Sequence, residues 1–259
     1  MYTEQFLRKG LNTHVFGTKI YTFNSVDSTN NCARAVADCG APEGTVVVTE
    51  HQTAGKGRLG RQWLTEPNQN LIFSLLLRPH FSPETINLLP LYVAVALSET
   101  IERVSALKAE CKWPNDILFG GKKIAGILIE GSIKKSLVEY VVIGIGINVN
   151  QEKFPSNLTE KASSLKLECH KDFDRAILFR ETLKSLEDQY AAVSATGFQS
   201  VVPQWLSHST MINRTISVSQ QGNVFSGVVK GLSSNGALIL ESNGIERTVL
   251  AGDVSILQA

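Results

Sequence analysis

The run Asp116-Ile117-Leu118-Phe119-Gly120-Gly121-Lys122-Lys123-Ile124-Ala125-Gly126-Ile127-Leu128-Ile129-Glu130 decides the fold class. Two apolar segments, 116–119 and 123–130, flank a Gly-Gly pair that accepts the positive φ of a tight hairpin. Strands joined by so short a turn pair antiparallel. A third apolar segment, 138–149, follows after a further turn. Working outward, β-branched and apolar runs predict strands at 20–26, 44–50 and 70–78. Asp27-Ser28-Thr29-Asn30 supplies N-cap candidates for a helix through Asp38. Two longer stretches carry helical periodicity, 84–107 and 172–193, the first with Leu88, Leu91, Tyr92, Val95 and Ile101 on and beside one face. After Trp205 the texture changes to short strands at 215–219, 224–230, 237–240, 247–250 and 254–257, separated by turn residues. That pattern predicts a small β-barrel.

Length and composition bound the rest. The chain has 259 residues, 43% hydrophobic and 19% charged, which suits one large domain plus a small one. The expected division is an arm at 1–20, read as flexible or as one extra helix, a main domain at 21–208 and a small domain at 209–259. Twenty-five Lys+Arg against 24 Asp+Glu leave a net charge of +1, which weighs against a general DNA or membrane-surface binder. The longest uncharged apolar stretch, 85–98, contains Pro90 and is too short to span a bilayer. Glu4, Arg8, Lys9 and Lys19 interrupt the first 20 residues, so the expected location is the cytoplasm. The four cysteines and five histidines show none of the standard zinc spacings, and no protein metal ligand is expected.

The segment Gly55-Lys56-Gly57-Arg58-Leu59-Gly60-Arg61 carries the chemistry. Three cations within seven residues repel one another unless an anion or water screens them, and three glycines let the backbone approach a ligand closely. The string satisfies GxGxxG, but no helical face follows it, so it is not a dinucleotide fingerprint; no GK[ST] follows either. A solvated surface loop is the plain alternative. Three other segments shift the balance: Lys112-Trp113-Pro114-Asn115-Asp116, the lysine-headed strand 122–130, and Gly144-Ile145-Gly146-Ile147-Asn148 at the end of an apolar strand. Each alone has a structural explanation, such as hairpin chemistry, close helix packing or a strand-end hydrogen bond.

In this order and at these separations, the segments resemble the biotin–protein ligase family. Its members carry a GRGRxxR-type loop, a KWPND segment, a K[IL]AGIL[IV]E strand, a G[IAV]GIN strand end and an upstream DSTN segment, seen here at 27–30. The resemblance implies an α+β fold: a mixed, mostly antiparallel sheet flanked by helices, plus a small C-terminal SH3-like β-barrel. It implies the monofunctional class without an N-terminal winged helix, because about 20 residues precede the matched region.

The implied activity is that of biotin–[acetyl-CoA-carboxylase] ligase. Biotin and ATP are the substrates, Mg2+ accompanies ATP, and the acceptor is a lysine of the biotin carboxyl carrier protein. By resemblance Ser28, Thr29, Asn30 and Gln52 read the ureido head, Lys123 contacts the biotin carboxylate and the α-phosphate region, Lys56, Gly57 and Arg58 also bind biotin with Arg58 helping to hold the adenylate, and Gly126 lets the apolar tail approach the strand. Lys56, Arg58, Arg61, Trp63, Lys112 and Asn148 fall to the nucleotide, with Trp63 on adenine; Arg58, Lys123, Lys112 and Asp116 are the catalytic set. Ser28 and Thr29 also suit helix capping, and Trp63 also suits core burial. Lys56 departs from the arginine many members have there, keeping charge but losing the planar fork. Lipoate–protein ligase chemistry and a non-catalytic biotin sensor are the rival readings. Monomer and homodimer both remain open.

Overall fold

The computed structural model describes residues 2–134, 137–220 and 222–256. A seven-stranded sheet forms the main body. Its strands are β1 (Ile20–Val26), β2 (Val46–Gln52), β3 (Leu71–Leu77), β4 (Glu110–Lys112), β5 (Asp116–Phe119), β6 (Lys122–Lys134) and β7 (Leu137–Ile147), in the spatial order β1-β2-β3-β7-β6-β5-β4. β1 and β2 pair parallel and every other neighbouring pair is antiparallel. The Gly120-Gly121 hairpin forms as expected, with φ of +54° and +81°.

Both faces of this sheet are covered, so its central strands are apolar on both sides. Val46, Val48, Leu75 and Leu77 join the large core cluster, while their alternates Val47 and Leu76 join a small cluster on the opposite face. That small cluster is closed by Ala33 and Ala37 of a helix at Thr29–Asp38 (α2, after a short α1 at Glu4–Arg8). The large cluster is closed by α3 (Leu89–Ser105) and α5 (Arg175–Thr196), which pack against each other; the one-turn α4 (Leu165–Cys169) lies between them in sequence.

Helix starts differ from the periodicity. The expected 84–107 helix begins as a 3-10 turn at Pro83–Leu88, and α3 starts only at Leu89. Pro90 explains the break: it lacks an N–H and belongs in a first helical turn, where no partner is required. α5 starts at Arg175 rather than 172 because the Asp174 carboxylate accepts the N–H groups of Ala176 and Ile177 as N-cap.

The segment before β1 is not a loose arm. Tyr2, Leu7 and Phe16 are buried in the large cluster. The Glu187 carboxylate of α5 accepts the N–H groups of His14 (2.6 Å), Val15 (2.6 Å) and Phe16 (2.8 Å).

After α6 (Val201–Ser207) come β8 (Thr215–Gln220), β9 (Asn223–Leu232), β10 (Leu238–Ser242), β11 (Ile245–Val249) and β12 (Asp253–Ile256). They form a separate five-stranded antiparallel sheet in the order β11-β10-β9-β8-β12, the small SH3-like unit. The expected strand 254–257 and the turn 221–223 include Leu257 and Gln221, which lie outside the described residues. Among the described residues, no helix is long and apolar enough to cross a membrane.

Candidate active site

A cavity of about 860 Å³ opens between the start of α2, the β6–β7 face, the Gly-rich loop and the start of β12. It lies in the size range of small-molecule sites. Ser28, Thr29, Asn30, Gln52, Lys56, Gly57, Arg58, Arg61, Trp63, Lys112, Asp116, Lys123 and Gly126 all line it. Asn148 does not. Its amide Nδ2 donates to the Ser163 carbonyl (3.0 Å) and reaches the Lys123 carbonyl (3.5 Å), the strand-end role that is its plain alternative.

One end of the cavity is a buried polar network. The Gln52 side-chain carbonyl accepts from the Thr29 N–H (2.8 Å) and from the Thr29 hydroxyl (3.1 Å). Ser74 Oγ donates to Asn30 Oδ1 (2.6 Å) and sits 2.8 Å from Thr29 Oγ1, and Asn30 Nδ2 donates to Glu130 Oε2 (2.7 Å). Gln52 thus spends its carbonyl within the protein and has its NH2 to offer a ligand. Ser28 occupies the N-cap position of α2 but makes no side-chain cap hydrogen bond, so capping does not account for that hydroxyl.

Three glycines shape the floor. A Cβ on Gly144 would lie 2.3 Å from Asn30 Oδ1, one on Gly146 2.5 Å from the Trp63 ring, and one on Gly126 2.9 Å from both Trp63 and the Lys123 ammonium. Gly126 and Gly146 are cross-strand partners, so together they clear one patch of sheet on which the indole lies. The Lys123 ammonium stands 5.3 Å from the Trp63 ring centroid, within cation–π range. It also pairs with Asp116 at 2.6 Å. The Lys123 backbone is clamped from outside the sheet: its N–H donates to the Lys161 carbonyl (2.8 Å) and its carbonyl accepts from Ser163 N–H (3.0 Å).

The other end is cationic. Arg58, Arg61, Lys112, Lys123 and Lys161 face Asp116, Glu160 and Asp253 around the lining, with Lys56 nearer the polar network. The Gly-rich loop closes on itself through Gly57 N–H to the Arg61 carbonyl (2.7 Å). Leu59 at its tip is 72% exposed in the left-handed region at φ +54°. Arg58 Nη1 reaches Asn115 Oδ1 (3.3 Å) and the Gly252 carbonyl (3.4 Å), and Arg61 pairs with Asp253. Lys56 donates to Asn31 Oδ1, next to the polar network. Burial holds both the Arg58 guanidinium and the Lys112 ammonium below their ordinary pKa values, Lys112 being partly restored by Asp116. Cations desolvated in this way gain from an anionic ligand.

Several residues of the site are absent from the sequence reading. Ser74 does not line the cavity but supports Thr29 and Asn30, which do; it is the lone polar residue in the strand Leu-Ile-Phe-Ser-Leu-Leu-Leu, a signal available in the sequence. Leu158, Glu160, Lys161 and Val254 enter the lining from distant segments, where no local pattern marks them.

Residues 22–148 match the Biotin/lipoate A/B protein ligase family, and residues 211–257 match the Biotin protein ligase C terminal domain. The bifunctional ligase/repressor of Bacillus subtilis is 35% identical over 256 residues, covering 98% of this chain and 79% of that protein. The chain belongs to the biotin protein ligase family. A Paracoccus denitrificans member, a biotin–[acetyl-CoA-carboxylase] ligase, is 30% identical over 235 residues, covering 88% of this chain and 96% of its own length. The biotin protein ligase of Aquifex aeolicus, solved with biotin and ATP, superimposes with a TM-score of 0.82 at 29% identity, covering 93% of this chain and all of the other. The family relationship accounts for both sheets, since one match falls on each.

Proposed function

We propose that the protein is an ATP-dependent biotin–protein ligase that biotinylates the carboxyl carrier protein of acetyl-CoA carboxylase. The single observation that carries this reading is the two-ended cavity. A buried polar network suited to a ureido group sits at one end, a cluster of desolvated cations suited to phosphates at the other, and Trp63 lies beside Lys123 between them.

In the first step an oxygen of the biotin carboxylate attacks the α-phosphorus of ATP. A P–O bond forms, the bond to the bridging oxygen breaks, and pyrophosphate leaves with the electron pair. Two like unit charges about 4 Å apart repel by ~4 kcal/mol at an effective dielectric of 20. Lys56, Arg58 and Lys123 cancel that repulsion and stabilise the charge that develops at phosphorus. Lys112 and Arg61 serve the triphosphate, and Trp63 stacks on adenine. Mg2+ would enter with ATP and be held mainly through phosphate oxygens and water, neutralising the charge of the triphosphate.

In the second step the carrier lysine amine attacks the acyl carbon of biotinyl-5′-AMP. The C–N bond forms, the acyl C–O bond breaks and AMP leaves. An ordinary lysine, pKa ~10.4, is almost wholly protonated at neutral pH, so its proton needs an acceptor. We assign that role to Asp116, which pairs with Lys123 in the free protein.

The test is mass spectrometry of a carrier domain incubated with this protein, biotin and MgATP. One lysine is expected to gain one biotinyl group, with one AMP and one pyrophosphate released per transfer. Failure to release pyrophosphate from ATP and biotin, or equal modification with lipoate in place of biotin, would overturn the reading.

A further inference from the structure

The segment 112–116 has two faces. All five residues line the cavity, and Trp113, 2% exposed, also reaches the other domain. Its indole Nε1–H donates to the Gly236 carbonyl, at the β9–β10 turn of the small sheet, at 3.0 Å. Gly236 has φ +80°, and a Cβ there would stand 3.1 Å from both Leu88 and Leu91 and 3.3 Å from the Asn87 carbonyl. The turn is therefore seated closely against the start of α3 as well as against Trp113.

The main chain joins the two sheets once, through 208–214, pinned to β4 by Cys111 N–H donating to the His208 carbonyl (2.8 Å). A single covalent connection leaves two domains free to swing, unless a second fixed point or a large apolar contact removes that freedom. The Trp113–Gly236 contact is such a second point, and the apolar cluster runs unbroken across it through Leu88, Leu91, Met211 and Leu238. At the far edge of the small sheet, Gly252 accepts from Arg58 and Asp253 pairs with Arg61, and Asp253 through Ile256 form cavity wall.

We propose that Trp113 is a positioning residue for the nucleotide end of the site: its hydrogen bond to Gly236 fixes the small sheet so that Gly252 and Asp253 hold the two loop arginines in place. The inference rests on the ligase reading above. The polar network of Thr29, Asn30 and Gln52 is built from α2 and the main sheet alone, and none of its hydrogen bonds involves the small sheet.

The experiment compares full-length wild type with Trp113→Phe, which keeps a buried ring but loses the donor, and with Gly236→Ala, Asp253→Ala and the Trp113→Phe/Asp253→Ala double variant. Trp113→Phe and Gly236→Ala are each expected to raise KM for ATP about fivefold, the scale of one lost hydrogen bond. The biotin Kd is expected to stay within about twofold. The double variant should be worse than Asp253→Ala alone by less than the full Trp113→Phe effect, because part of that effect is carried through Asp253 and the rest through Gly252. In ligand-free protein, amide hydrogen exchange at 253–256 should speed up in Trp113→Phe and Gly236→Ala. Unchanged exchange there, additive effects in the double variant, or parallel losses for biotin and ATP would each overturn the proposal. Because the exchange measurement needs no ligand, it decides the anchoring role even if wild type makes no biotinyl-adenylate, an outcome that would sink the ligase reading instead.

Discussion

The indole of Trp63 lies where a side chain on Gly146 would be: an ideal Cβ at Gly146 would stand 2.5 Å from the ring. Gly126, its cross-strand partner, meets the same ring at 2.9 Å. The two glycines are thus a seat for Trp63. Gly146→Ala is expected to push the indole off the sheet, an overpacking cost of roughly 1–3 kcal/mol. Binding of biotin and ATP should weaken by about tenfold or more, with a shift in tryptophan emission. Gly131→Ala is the control: it lies on the same strand as Gly126, and its nearest neighbour is 3.6 Å away. Equal binding by both variants would show that the seat has no role.

Arg58 holds Asn115 and Gly252 from the middle of the Gly-rich loop. In the ligase reading it retains biotinyl-5′-AMP until the carrier arrives. Arg58→Gly is expected still to form the adenylate but to release it, so that exposed lysines on bystander proteins become biotinylated. Dialysis of the enzyme against a bystander protein, followed by avidin blotting, checks this. Retention as tight as in wild type would remove the clamp role.

Lys112 gives a pH dependence with a definite sign. Burial lowers its pKa, so the free protein loses this positive charge at lower pH than an ordinary lysine would. Phosphates beside it favour the charged form and raise the pKa again. ATP affinity should therefore fall as pH rises through the lowered value, and binding should take up protons between the lowered free value and the raised bound one. Calorimetry in buffers of different ionisation enthalpy measures that uptake. Lys112→Arg, charged throughout this range, should flatten the fall. An unchanged profile in that variant would assign the effect to another group.

What the sequence revealed and what it hid follow from the range of each interaction. The β5–β6 hairpin, the start of α2 and the loop cations are local patterns, legible from residues a few positions apart. The α3 start was misplaced because periodicity does not register the missing N–H of Pro90. β4 is three residues of mixed polarity, too short to show a period. Asn148 lines the strand end rather than the cavity because Ser163 and Lys123 carbonyls claim its amide, and Ser163 lies on a segment whose path no nearby residue announces. Asp253 reaches Arg61 across 192 positions, a contact only the docked small sheet creates.

The residues before β1 show the same long-range control, and they supply the last expectation. Glu187 Oε1 accepts from Val15 and Phe16 while Oε2 accepts from His14, so one carboxylate terminates three main-chain donors that no strand or helix satisfies. Glu187→Ala would strand those donors, at least one of them fully buried, and is expected to cost roughly 2–4 kcal/mol of stability. Glu187→Gln keeps a carbonyl oxygen for Val15 and Phe16 and should cost less than half as much. Urea unfolding of the two variants measures the difference, and hydrogen exchange should localise it to residues 14–16. If alanine and glutamine cost the same, packing of the side-chain stem, and not its oxygens, holds this segment against α5.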